Sequence, residues 1–136
     1  MKTRENYVKE FNEAFMRKSH QEPSSDLLKF RKRLINEEVN ELFSDIDEAV
    51  SILEKGEEIP KSLLANMLKE LADIQYVVSG MSVDVKPMKN LDEAFIRVHN
   101  SNMSKLGADG KPIYRDDGKI IKGPNYKEPD LDDLVS

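Results

Sequence analysis

The chain has 136 residues, 35% of them charged, with a net charge of -5, no cysteine and two histidines, His20 and His99. This length suits one domain, residues 1–136, with a buried core, and the composition excludes a disulfide framework, a thiolate zinc site or a histidine-rich cluster, so any metal takes hard oxygen ligands. The acidic balance argues against broad nucleic-acid affinity; no apolar run is long enough to span a membrane and the N-terminus lacks a signal-like apolar segment, so a soluble, cytoplasmic chain is expected.

Val8, Phe11 and Phe15 fall at helical spacing and predict a first helix over Thr3 to Lys18, stopped before Pro23. Ser24 or Ser25 can cap a second helix that runs through Leu27, Leu34, Leu42, Ile46 and Leu53 until Gly56 offers a left-handed stop after Lys55. Pro60 suits the first turn of a third helix, whose apolar residues from Leu63 to Met81 spread over more than one face. Such a helix belongs at the centre of a bundle or at a subunit interface. The pattern loosens after Gly80.

Asn90-Leu91-Asp92-Glu93 reads as a capped start for a fourth helix toward Lys105. Residues 106–126 then form an extension in which Pro112–Arg115 and Lys119–Lys122, joined by Asp116-Asp117-Gly118, predict a short hairpin. Residues 127–136 are acidic and expected to be loose. The expected fold is all-α, a helical bundle with a short C-terminal β-hairpin.

Two carboxylate pairs interrupt the apolar helical pattern: Glu38 with Glu41, and Glu70 with Asp73. Residues three apart share a helix face, so each pair presents two acids side by side, and antiparallel packing of their helices brings all four together. The plainest reading is a pair of solvated faces, ordinary in so charged a chain. Against it, an acidic stripe runs beside Leu34 and Leu42, and the second pair is flanked by Leu68, Leu71, Ala72 and Ile74. Carboxylates bordering a core repel one another unless a divalent cation lies between them.

At these acids the chain resembles the all-α nucleoside triphosphate pyrophosphohydrolases, the group that includes MazG-like proteins, dimeric dUTPases and phosphoribosyl-ATP pyrophosphohydrolase. The family pattern is Glu-x-x-Glu, a gap, then Glu-x-x-Asp, and Glu38, Glu41, Glu70 and Asp73 match it near the upper limit of the gap. The segments Val8–Phe15, Arg33–Leu42 and Val98–Lys105, the last containing Asn-Met-Ser-Lys, are also similar to the MazG-like branch. The likeness covers most of the chain from Val8 to Tyr126.

The resemblance implies a MazG-like bundle that cleaves a (deoxy)nucleoside triphosphate between its α and β phosphates, releasing the monophosphate and pyrophosphate. In the branch it resembles, dUTP or a non-standard nucleotide is the implied substrate, in a house-cleaning role. Glu38, Glu41, Glu70 and Asp73 become ligands for magnesium, with manganese as a substitute, since an acidic site accepts a triphosphate only through bridging cations. Glu37 is the candidate general base or a ligand to an additional ion; it reads equally as a surface acid paired with Arg33. Asn102 and Lys105, three apart on one helical face, are candidates for the phosphate tail, although a lysine at a helix end also simply suits the dipole. Phe11, Asn12 and Phe15 are candidates for a base pocket or plain core, and only Asn12 enters the site list.

The wide apolar face of the third helix implies a homodimer or higher homo-oligomer, unless it is satisfied within one subunit. Two alternatives stand beside this reading. One is phosphoribosyl-ATP pyrophosphohydrolase of histidine biosynthesis; the other is a non-catalytic helical interaction module stabilised by metal.

Overall fold

Thr3 opens the first helix by a reciprocal cap: its hydroxyl accepts from the Asn6 backbone N–H at 3.1 Å, while the Asn6 side chain accepts from the Thr3 N–H at 3.0 Å. The computed structural model describes Met1–Ser136 in two compact units, Met1–Lys89 and Asn90–Ser136. The architecture is predominantly helical, as the sequence predicts.

In the first unit α1 spans Arg4–Ala14, α2 Ser25–Glu54 and α3 Lys61–Asp84. Helix α1 ends four residues short of the expected Lys18. Met16 turns left-handed with φ 54°, Arg17 N–H donates to Asn12 O at 2.8 Å and Met16 N–H to Glu13 O at 3.3 Å, closing a Schellman stop without glycine. The left-handed backbone costs a non-glycine residue about 1–2 kcal/mol, so neighbouring contacts must sustain it. They do: His20 N–H donates to Val83 O at 2.8 Å, Gln21 N–H to Asp84 O at 2.7 Å and Lys86 N–H to Gln21 O at 2.9 Å, tying the α1–α2 connector to the end of α3.

Helix α2 starts and stops as predicted. The Ser24 hydroxyl accepts from Leu27 N–H at 3.1 Å, and Gly56, at φ 75°, forms the second Schellman stop, with Glu57 N–H donating to Ile52 O at 3.2 Å. Pro60 caps α3 from outside its first turn, in extended conformation. The helix does not stop at Gly80 but continues to Asp84, burying Ser79, Gly80, Ser82, Val83 and Asp84. Helix α3 packs against both α1 and α2, so it is the central element of this unit. Val8, Leu42, Ala49, Leu63, Val83 and Val85 form its buried apolar core.

In the second unit α4 spans Leu91–Met103, ending two residues before the expected Lys105. Asn90 does not cap it by side chain. Its amide instead donates to Leu134 O at 2.9 Å, drawing the C-terminus back to the start of α4. The tail is held further by Arg97, whose Nη1 reaches Asp133 at 2.6 Å and Asp130 O at 3.0 Å; residues Asp132–Leu134 form a 3₁₀ turn. The expectation of a loose tail is corrected at these residues.

The predicted hairpin is present in reduced form, with Arg115 N–H donating to Lys119 O at 2.8 Å and Ile121 N–H to Ile113 O at 2.9 Å. Its turn forms, with Gly118 at φ 87° and Asp117 accepting from Lys119 N–H at 3.1 Å, but pairing is a single bridge between Tyr114 and Ile120. Two short, largely exposed segments bury too little apolar surface to sustain strands, and Pro112 has no N–H to offer. No helix is long and apolar enough to cross a membrane.

Candidate metal centre

Helices α2 and α3 place their polar residues opposite one another in descending and ascending order. Glu38 lies within reach of the charge of Asp73, Glu70 within reach of Glu41 and Asp45, and the Asn66 amide donates to Asp45 Oδ2 at 2.6 Å. The steps between Glu38, Glu41 and Asp45 on α2 match those between Asp73, Glu70 and Asn66 on α3. This is an antiparallel ladder of acids along one seam.

The seam is partly withdrawn from water. Glu70 is 5% exposed, and Oε2 of Glu70 and Oε2 of Glu38 are buried without any hydrogen-bond donor. Burial first, then the like charges of Asp73 and Glu41, pushes the Glu38 carboxyl above its ordinary value. Glu70 is raised for the same leading reason, followed by the carboxylate of Asp45 beside it. Lys69 partly offsets these charges from the rim: its ammonium meets Asp73 Oδ2 at 2.7 Å and stays 69% exposed. An exposed ion pair of this kind is worth little by itself.

The donor set suits a hard divalent cation. Glu38, Glu41, Glu70 and Asp73 offer only carboxylate oxygens, and two buried oxygens lack the positive partner that their burial calls for. The acids stand as facing pairs; no three of them close into one ligand set.

Glu37 is exposed at the edge of the ladder and contributes one of the like charges that raise Glu38. Its predicted ion pair with Arg33 does not form; the Arg33 guanidinium lies instead over the Phe30 ring, 5.4 Å from the centroid. Asp45 and Asn66 were not among the predicted site residues. The signal for Asp45 was present, since it lies four residues after Glu41 on the same face; Asn66 becomes visible only once the helices are paired.

Asn12 is 3% exposed and its amide is spent inside the protein, donating to Asp84 Oδ1 at 2.8 Å and Ser19 Oγ at 3.2 Å. Phe11 stacks on Phe15 at 4.6 Å between centroids and meets Tyr76 edge-on at 5.9 Å. Beside them a cleft of ≈ 220 Å³ opens between α1 and α3, lined by Arg4, Tyr7, Gln75 and Tyr76 among others. Tyr76 follows Asp73 by three residues, so the cleft and the acids share α3.

Asn102 and Lys105 belong to the second unit. Lys105 is not part of α4 but of the turn that follows, where its N–H donates to Asn102 O at 3.1 Å and its carbonyl accepts from Gly123 N–H at 2.8 Å. A Cβ on Gly123 would meet Leu106 O at 2.3 Å, so only glycine permits this approach. In comparisons with known proteins, no family model and no curated protein matches the chain.

Proposed function

We propose that the chain is a magnesium-dependent nucleoside triphosphate pyrophosphohydrolase, in which the facing pairs Glu38 with Asp73 and Glu41 with Glu70 would close on bound cations as metal ligands. The observation that carries this reading is the pair of buried, donor-free oxygens on Glu38 and Glu70, facing one another's helices within a seam of acids. Bound magnesium would neutralise the triphosphate, polarise its phosphorus and carry waters.

The chain's own residues supply the rest. Glu38 and Glu70 hold charge toward the seam, and Asp45 with Asn66 orients Glu70. In the hydrolytic step a water oxygen bonds to phosphorus, its proton passes to a carboxylate, and the bond between the α and β phosphates breaks to release pyrophosphate. Glu37, exposed at the ladder's edge, is the proposed proton acceptor. Asn102 and Lys105 are the proposed phosphate-tail contacts. At ≈ 220 Å³ the α1–α3 cleft is smaller than the roughly 300 Å³ at which pockets begin to take drug-sized ligands, which suits one heterocycle. Tyr7 and Tyr76 offer ring faces and Gln75 an amide to read a base edge, in place of Asn12. Exposed Phe43, Leu64, Leu68 and Leu71 on α2 and α3 support a homodimer that covers them.

The hydrogen bonding of Glu70 through Asn66 favours one second reading, an ion that only stabilises a non-catalytic helical module. Pyrophosphate release from a panel of ribo- and deoxynucleoside triphosphates, with magnesium and with chelator, beside Glu38→Ala, tests both. Magnesium-dependent release lost in a folded variant supports the enzyme. No release from any substrate, with cation-dependent folding, supports the structural ion.

A further inference from the structure

The acids of the α2–α3 ladder recur every three or four residues, so they do not define their own alignment. If α2 slid along α3 by one turn, about 5.4 Å, acid would again lie opposite acid. Apolar burial is non-directional, so it marks the register less sharply than a directed contact does. Something else must choose the register.

One contact of the seam is unique. Two turns before Glu38, Arg31 is 4% exposed and sits over Gly80, which lies two turns after Asp73 and is the sole glycine of α3. A Cβ at residue 80 would stand 2.2 Å from Arg31 Nη2 and 3.0 Å from Cζ. A methyl group there would push the guanidinium, the far end of the Arg31 side chain, away from its present place. The Arg31 fork grips two acceptors about two turns apart on α3: Nη2 donates to Val77 O at 2.6 Å, and Nη1 to Asp84 Oδ2 at 3.2 Å. Asp84 is itself held, 1% exposed, by the Asn12 amide and by Arg17 Nη2 at 2.9 Å. The arginine is therefore fixed both in rotation and along the helix axis.

We propose that Arg31 is a positioning residue: its guanidinium, seated in the notch of Gly80, sets the register at which the acids of α2 face those of α3, about 10 Å away along the helix. The consequence for cation affinity rests on the proposed reading of those acids, whereas the register itself does not. A lysine in place of Arg31 keeps the charge but loses the planar fork.

The absence of cysteine from the chain makes the register directly measurable. Glu38→Cys/Asp73→Cys protein is oxidised with and without Gly80→Ala, and Mn²⁺ binding to the corresponding cysteine-free proteins is followed by electron paramagnetic resonance. Folding of each protein is checked by circular dichroism. Gly80→Ala is expected to slow disulfide formation at least tenfold and to weaken Mn²⁺ binding at least tenfold, in protein that remains helical. A merely stabilising role would lower the melting temperature and leave both readouts unchanged in the folded protein, and that result overturns the proposal. If Gly80→Ala does not fold, Arg31→Lys alone decides by the same cross-linking comparison. If the parent chain binds no Mn²⁺, the metal reading fails while the cross-linking rates still settle the register.

Discussion

Asn66 joins Glu70 to Asp45 across two helices: its amide donates to Asp45 Oδ2 at 2.6 Å and to Glu70 Oε1 at 3.2 Å. One neutral side chain thereby holds two acids that would otherwise repel, and leaves Glu70 Oε2 buried and free of donors. Replacing Asn66 with Ala removes this support without touching a proposed ligand. Supporting partners of ligands typically contribute 10–100-fold to metal affinity, so Asn66→Ala is expected to weaken Mn²⁺ or Mg²⁺ binding about tenfold or more in calorimetry. An unchanged affinity would show that Glu70 needs no such orientation.

The metal-free protein is expected to lose stability as pH rises. Glu38 and Glu70 both titrate above their ordinary value of 4.5 in the folded chain. Folding therefore favours their protonated forms, a contribution fully present below pH 4.5 and lost as pH climbs through the raised values. A divalent cation at neutral pH reverses the loss, by about 2.7 kcal/mol at a hundred times its dissociation constant. Thermal melts across pH 4–8, with chelator and with magnesium, measure this; a chelated protein whose melting temperature rises steadily with pH contradicts the assignment.

Asp84 carries the opposite kind of burial. Its carboxylate answers Arg31, Arg17 and Asn12 at once, so Asp84→Ala leaves the Arg31 guanidinium in the interior without its anion. Breaking a buried pair in this way costs about 3–5 kcal/mol, to be read from urea unfolding.

Asn12→Ala loses one buried amide from the same cluster and is expected to cost about 1–3 kcal/mol. Because that amide is committed to Asp84 and Ser19, the variant should leave KM for a nucleotide unchanged. A raised KM in a stably folded Asn12→Ala protein would return the residue to the substrate site.

In the second unit the tail contact is governed by Arg97. Hydrogen bonding to Arg97 holds the Asp133 carboxyl below its ordinary value of 3.8, so this contact is present above that pH and is lost as pH falls through the lowered value. Arg97→Ala should speed amide exchange at Leu134 at neutral pH. Exchange unchanged by the variant would mean that the Asn90 side chain alone holds the segment.

The sequence by itself determined the helices and several of their ends. Ser24 and Gly56 punctuate α2 because a hydroxyl caps orphan N–H groups and a glycine accepts left-handed backbone, and both effects act within a few residues. The acids at 38, 41, 70 and 73 were legible for the same reason, since helical spacing places each pair on one face. What lay across the chain was not legible. That α1 stops at Ala14, that Asn12 belongs to the interior, and that Asp45 and Asn66 join the acids all depend on partners many residues away. Gly80 shows the difference most directly: local propensity reads it as a weak point in a helix, whereas the packed protein uses its missing side chain to admit Arg31. Spacing along a helix is fixed by backbone geometry, but the alignment of two helices is chosen only by the side chains that meet.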